Sequence, residues 1–278
     1  MPVSYRDIAA DLRQAILDGR YMPGDTLPML KELQEQYGAG YQTARSAISL
    51  LEQEGLVVAI RRRGTIVRER PEKRRITRSR QVYRDKRGYF FDPTAQGWAA
   101  LQTPTVSWGT VPVDLAPVLG VAIGDEVLIR DRIMGDPGTG EAKQLATSYL
   151  PSDISRGTQL AEHDTGKGGI YDRLEGMGHR PLVWSESVTA RMPSPEEAEA
   201  LGLPTDVGVP LLRVVRVTTS PNGRVVEVND TRMSAELFEI GYSISRSPSA
   251  QRAVDDVEEH RIPSDTAAPG ASNAPSEE

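Results

Sequence analysis

The stretch YQTARSAISLLEQEGLVVAIRRRGTIV, residues 41–67, changes its hydrophobic period once, at Gly55. Before it, Ala44, Ala47, Ile48 and Leu51 recur at helical spacing and form one apolar stripe. Gln42, Arg45, Ser46 and Ser49 occupy the opposite face, hydrogen-bonding side chains with no block of carboxylates among them. Glycine tolerates the left-handed conformation that closes a helix, so Gly55 is the predicted stop. After it, residues 56–60 and 65–67 read as two short strands, with Arg61-Arg62-Arg63-Gly64 as a cationic tip. A polar helix face beside a basic hairpin is the pattern of a winged helix-turn-helix. The helix would enter the major groove, and the hairpin would hold the backbone or the minor groove.

Working upstream, Ser4-Tyr5-Arg6-Asp7 resembles a capping box, and Ile8, Leu12 and Ile16 continue as an apolar stripe toward Gly19. Pro23-Gly24 marks a turn, and Leu30, Leu33 and Tyr37 give a second short helix stopped by Gly38. Three helices and a hairpin make one small DNA-binding unit. Residues 3–68 resemble the DNA-binding domain of the GntR family of bacterial transcription regulators. The match is carried by Pro23-Gly24-Asp25-Thr26-Leu27-Pro28, Glu32-Leu33, Thr43, Arg45, Leu50-Leu51, Glu54-Gly55-Leu56 and Arg63-Gly64-Thr65. The resemblance implies DNA contacts from Lys31, Tyr41, Thr43, Arg45, Arg63 and Gly64. The polar helix face and the hairpin tip add Gln42, Ser46, Arg61, Arg62 and Thr65 as candidates. Two segments depart from the family pattern. Met29-Leu30-Lys31 replaces Ser-Glu-Arg, and Gly40-Tyr41 replaces Ser-Arg at the start of the recognition helix. Tyr41 removes a guanine reader, so the operator should differ from the family's usual half-site.

Charge separates the chain into two parts. Residues 1–80 hold 15 Lys and Arg against 10 Asp and Glu, whereas the whole chain of 278 residues has net charge −6. A basic module on an acidic body points to a polyanionic partner for the first domain alone. The expected organisation is a winged helix-turn-helix over 1–70, a basic linker over 71–81, a second domain over 82–246, and a disordered acidic tail over 247–278, rich in Pro, Ala and Ser. There are no cysteines, which excludes disulfides, thiolate nucleophiles and cysteine-ligated zinc. The first residues show no apolar run of a signal peptide, and no stretch approaches the roughly 18 apolar residues of a spanning helix. A cytoplasmic protein without a membrane partner is the expectation.

The second domain reads as α+β with antiparallel strands. Residues 114–119 form a short helix before Gly120, and 126–134 and 144–149 form a hairpin around Asp136-Pro137-Gly138. A helix over 170–177 and a strand over 182–191 follow. Ser194-Pro195-Glu196-Glu197 is a capping box with Pro at the first helical position. Residues 211–219 and 225–233 form a second hairpin. The segment 116–133 (APVLGVAIGDEVLIRDRI) is echoed by 198–217 (AEALGLPTDVGVPLLRVVRV), each a helix, a turn and an arginine-bearing strand. Two such halves would build a pseudo-symmetric domain around a cleft.

Residues 82–244 resemble the UTRA effector domain of the HutC subfamily of GntR regulators. The match is carried by 127–133, Ser148-Tyr149-Leu150-Pro151, Gly169-Ile170-Tyr171-Asp172-Arg173-Leu174, 196–203, Pro210-Leu211-Leu212-Arg213 and Val226-Glu227. The resemblance implies a chorismate-lyase-like fold, dimerisation through this domain, and a cleft for a small molecule. An Arg-x-Arg pair, here Arg130 and Arg132, would meet an anion, since alternate strand residues share a face. Gly169, Tyr171 and Glu227 complete the implied effector set. Ala146 stands where the family places a sugar-reading carboxylate, and Gly169 where it places a phosphate-binding serine. A structural ion pair of the two arginines with Glu126, Asp131 or Glu227 is the competing reading.

No catalytic set emerges. His163, His179 and His260 lack metal-ligand spacing, and Gly166-Lys167-Gly168-Gly169 lacks the spacing of a phosphate loop. No metal and no cofactor are expected. The sequence predicts a homodimeric repressor that binds a palindromic or pseudo-palindromic double-stranded operator and responds to a small anionic effector. Two other readings are a DNA-binding maintenance protein without an effector and, by analogy of fold alone, a chorismate-lyase-like enzyme.

Overall fold

The computed structural model describes residues 3–69, 73–77, 82–85, 88–90, 97–204 and 208–246. The tail expected from residue 247 onward, and the linker residues 71, 72 and 78–81, lie outside the described residues. Residues up to 241 form one unit; of a second, 242–246 are described and carry no regular element.

Helix α1 (Tyr5–Leu17) begins at a reciprocal cap: the Asp7 amide donates to Ser4 Oγ at 3.3 Å and the Ser4 amide to Asp7 Oδ2 at 2.9 Å. Helix α2 (Leu30–Tyr37) closes on Gly38 at φ 59°, and α3 (Tyr41–Gln53) starts from Gly40 with no side-chain cap. Ile8, Leu12, Leu27, Leu33, Leu51 and Val57 fill the core between them. Each fully buried leucine stabilises by about 1.5–3 kcal/mol, which is what holds helices this short. Arg13 clasps Glu54 bidentately at 2.5 and 2.8 Å, tying α1 to the end of α3. Strands β1 (Val57–Ile60) and β2 (Gly64–Val67) pair antiparallel as the wing. The segment after Pro23, read from sequence only as a turn, also pairs with the wing. Leu27 N–H donates to Thr65 O at 2.8 Å, and Val67 N–H to Asp25 O at 2.8 Å. Without that third ribbon β2 would leave a row of backbone groups unpaired.

The stretch expected as a linker holds a strand. β3 (Arg74–Thr77) runs parallel to β13 (Phe238–Gly241). Ile76, 1% exposed, packs with Val214, Met233 and Phe238. The basic neighbours in sequence hid this single apolar anchor. A small hairpin follows, β4 (Tyr83–Asp85) with β5 (Gly88–Phe90).

The large sheet contains β6 (Ala99–Ala100), β7 (Thr105–Thr110), β8 (Glu126–Gly135), β9 (Ala142–Pro151), β10 (Val183–Arg191), β11 (Leu211–Thr219) and β12 (Val225–Ser234). The order is β10-β11-β12-β9-β8, with β6 and β7 both on the far side of β8, and every pairing is antiparallel. The internal echo is therefore real in three dimensions. One half is β7, helix α4 (Ala116–Leu119), β8 and β9, with α5 (Ser152–Ser155) and α6 (Gly169–Leu174) following. The other is β10, helix α7 (Pro195–Ala200), β11 and β12. The halves meet where β9 pairs β12. The helix expected over 170–177 keeps α-geometry only to Leu174. Residues 175–179 wind more loosely and Gly178 takes φ 98°.

The two faces of the sheet are covered differently. On one, Leu128, Leu150 and Val226 pack with Leu160, Ile170 and Leu174. On the other, Val127, Tyr149 and Val228 pack with Leu115 and Leu119 around α4. Beside them α7 is pinned: Arg191 donates to both oxygens of Glu197 at 2.6 and 2.7 Å. That bidentate bond holds the Glu197 carboxyl down at about 2.

Candidate DNA interface and effector site

Helix α3 buries Ala44, Ala47, Ile48 and Leu51 and so turns its other face outward. Tyr41, Gln42 and Arg45 are exposed, and Thr43 and Ser46 half-buried. The Arg45 guanidinium reaches the Tyr41 hydroxyl, one helical turn back, at 3.5 Å. Lys31 is exposed on α2, 4.0 Å from Glu35. At the wing tip Arg61, Arg62, Arg63 and Gly64 are all exposed, while Thr65 is half-buried. Arg63 N–H donates to Ile60 O at 3.0 Å to close the turn, and Arg62 takes φ 67°. A non-glycine residue there costs about 1–2 kcal/mol, so the tip is a held conformation and not a slack loop. Gly64 has φ 92°, and a Cβ on it would lie 3.2 Å from the Thr26 methyl. The turn itself thus demands a glycine. The structure brings the helix and wing candidates onto one small domain and shows three arginines at its tip.

The effector candidates gather on the sheet face that packs under α6. Glu227 is 1% exposed. Its carboxylate accepts from Ser148 Oγ at 2.7 Å and from Thr218 Oγ1 at 2.6 Å. Arg132 Nη2 donates to Ser148 Oγ at 2.7 Å, and Asn229 Nδ2 to the same oxygen at 3.0 Å. Arg132 Nε is buried without a hydrogen-bond partner among the described residues. Arg216, the echo of Arg132 in the second half, meets Glu186 at 2.6 Å. Burial, then the Glu227 charge, pushes the Tyr171 hydroxyl up to about 12, so it stays a neutral donor. Two basic and two acidic groups with a ring of hydroxyls can hold a small molecule bearing both an anionic and a hydrogen-donating end.

Arg130 and Arg132 share this face, but their guanidiniums do different things. Arg130 donates to the carbonyls of Leu160 at 2.6 Å and His163 at 3.0 Å, and to that of Glu162. It anchors the turn at 160–163. Burial and then the neighbouring Arg132 charge lower its pKa. Neither arginine forms the direct ion pair weighed from sequence: Arg132 reaches Glu227 only through Ser148, and Glu126 pairs with Arg156. Gly169 opens α6 at φ 67°, and a Cβ on it would meet nothing within 4 Å. Ala146 lies opposite Arg132 in the ladder. Sequence reading missed Ser148, Thr218 and Asn229. Their strands carry other polar residues as well, among them Thr147, Arg216 and Asp230, so no local pattern singled these three out.

One residue joins the two domains. Arg68, after the wing, donates to Gly55 O at the end of the recognition helix at 3.2 Å and to Glu236 Oε2 at 3.0 Å. The two charged side chains are 13% and 17% exposed. Arg68→Met should destabilise the protein by about 1–3 kcal/mol, because Glu236 is left largely buried and unpaired. Adding Glu236→Leu should recover most of the loss. Denaturant unfolding of the four proteins of the cycle checks this, and additive losses would mean the pair contributes nothing.

The comparisons agree with this geometry. The profile of bacterial regulatory proteins of the gntR family matches residues 4–67, and that of the UTRA domain matches residues 103–239. An uncharacterised HTH-type transcriptional regulator of Streptomyces coelicolor is 30% identical over 263 residues, covering 91% of this chain and 96% of that one. The HTH-type transcriptional repressor NagR of Bacillus subtilis is 25% identical over 235 residues, covering 82% and 88%. The crystal structure of a GntR-family transcriptional regulator superimposes with a TM-score of 0.69 at 28% identity, covering 87% of this chain and 98% of that chain. Among the described residues no helix is long and apolar enough to cross a membrane. The chain belongs to the GntR family of DNA-binding transcription regulators, with a GntR helix-turn-helix domain followed by a UTRA effector-binding domain.

Proposed function

We propose that this protein is a homodimeric repressor that binds a palindromic or pseudo-palindromic operator and releases it when a small anionic effector enters the UTRA domain. The observation that carries the effector half is the Arg132–Ser148–Glu227 chain, a half-buried cation and a buried carboxylate joined through one hydroxyl. In this reading Arg132 meets the anion, Glu227 takes a hydroxyl or an amine of the effector, and Arg130 shapes the wall. Tyr171 packs on the sheet face that carries Glu227, and Gly169 opens the same helix. The DNA half rests on the exposed polar face of α3, which carries Arg45 and Tyr41, beside the arginine tip of the wing. The similarity to NagR, a transcriptional repressor, supports the sign of regulation.

Linkage fixes what the effector must do. It weakens operator binding only if the DNA-bound dimer holds it less tightly than the free dimer, and by the same factor. A tenfold release corresponds to about 1.4 kcal/mol of coupling. Mass spectrometry of small molecules released from the purified protein tests the reading. The compound found should lower operator affinity when added back. A compound that leaves affinity unchanged, or one that is turned over, overturns it. The wing has a separate test. Arg62→Ala and Arg63→Ala should each weaken binding on all sequences and reduce the slope of log K against log salt by about 0.9. An unchanged slope removes that arginine from the DNA contacts.

A further inference from the structure

Six residues separate Val67, the last of the wing, from Arg74, the first of β3. A chain of that length reaches about 20 Å when extended. Were it the only connection, each DNA-binding domain could shift along the duplex by several base pairs, since one pair advances about 3.4 Å. Arg68 removes that freedom, because its guanidinium grips a fixed group in each domain. On the DNA side the acceptor is the Gly55 carbonyl, at 3.2 Å. Gly55 is locked to α3: its amide donates to Glu52 O at 2.9 Å, and the next amide to Leu51 O at 3.0 Å. On the other side the acceptor is Glu236 Oε2, at 3.0 Å. Glu236 lies in the turn between β12 and β13, where its amide and that of Leu237 donate to Ser234 Oγ at 3.2 and 3.3 Å. The Ala235 amide donates to Pro210 O at 2.9 Å, and Phe238 is buried in the core beside Ile76. Gly208 also comes near this end of α3, a Cβ on it lying 3.9 Å from Gln53 O, which is ordinary contact without direction. A largely buried ion pair contributes little net stability over an apolar pair of the same volume. What the guanidinium supplies is direction. Its planar fork donates along fixed lines, so two acceptors on different domains set an angle as well as a distance.

We propose that Arg68 is the residue that sets operator spacing: through Gly55 and Glu236 it fixes each recognition helix to the UTRA domain, so the dimer accepts one separation of half-sites. The proposal rests on the dimer reading above. Changing the separation by one base pair moves a half-site by about 3.4 Å and turns it by about 34–36° around the duplex axis. A domain held at two fixed groups does not follow that turn, and one of the two recognition helices loses its base contacts. A domain held by the chain alone follows it. Removing the clasp should therefore leave the reading of each half-site intact and widen the range of spacings bound.

The test uses duplexes built from the inverted repeat that the wild-type protein enriches from a random pool. The spacer is kept, or lengthened or shortened by one and two base pairs, and a further duplex carries a single half-site. The full-length wild type is compared with Glu236→Leu and with Arg68→Met/Glu236→Leu. Glu236→Leu keeps the bond from Arg68 to Gly55 and cuts only the link between domains. The double variant leaves neither charge of the pair behind. Wild type should lose about tenfold or more in affinity when the spacer changes, the scale of a lost base contact. Both variants should bind the altered spacers within about threefold of the selected one, as a flexible tether allows. Affinity for the single half-site should be the same in all three proteins. A purely structural role would lower affinity on every duplex alike. Variants that keep the wild-type spacing profile, whatever their overall affinity, overturn the assignment, as does a wild type indifferent to spacing. A pool that yields no inverted repeat overturns the dimer reading and this inference together; an inverted repeat with an unchanged profile overturns this inference alone.

Discussion

Replacing Arg45 with alanine is expected to weaken binding to the specific operator by about 1–3 kcal/mol, a loss of roughly 5- to 150-fold, and binding to random DNA far less. The reason is where the side chain sits. Four buried residues on the inner stripe of α3 fix the helix against α1 and α2, so Arg45 is held on the outward face. Among the described residues its hydrogen-bond partner is the Tyr41 hydroxyl, and no carboxylate neutralises it. A guanidinium presented this way in the major groove matches the two acceptors of guanine. Competition binding with operator and scrambled duplexes at one salt concentration measures both losses. Equal losses on the two duplexes would make Arg45 a phosphate contact that carries no sequence information.

Arg132→Ala should abolish the effector response while leaving operator affinity without effector nearly unchanged. Arg132 touches the site through Ser148 and sits far along the chain from the DNA-binding face. Its removal leaves Ser148 still bonded to Glu227 and Asn229, so the fold of the sheet keeps its other partners. What is lost is the half-buried cation that an anion would meet. Arg132→Lys keeps the charge but not the planar fork, and should give a weakened response instead of none. Operator release at the same effector concentration by the alanine variant would place the anion site elsewhere. Loss of folding in that variant would make Arg132 a structural partner.

The parts of the fold set by local chemistry were readable in the chain. The period change at Gly55, the caps at Ser4 and Ser194 and the helix stop at Gly38 each depend on a few adjacent residues, and each appears where expected. The echo of 116–133 in 198–217 also survived, because two similar segments bury similar faces. Pairings between distant segments were not readable. Nothing local to Arg74–Thr77 says that β13 will run beside it, and nothing near Pro23 says that the wing needs a third ribbon. The same holds within the site. The Arg-x-Arg spacing placed both arginines on one face correctly. That Arg130 would be occupied by three carbonyls depends on a turn 30 residues away, and that Ser148 would join Arg132 to Glu227 depends on the β8–β9–β12 register.

The central claim is that one dimer reads one two-fold site. Selection of duplexes from a random pool by the full-length protein, followed by sequencing, tests it most directly. The expected product is an inverted repeat whose two half-sites are separated by a fixed spacing set by the dimer, with Arg45→Ala relaxing the preference at one position in each half. Enrichment of a single asymmetric half-site, or no enrichment above the input pool, would contradict it.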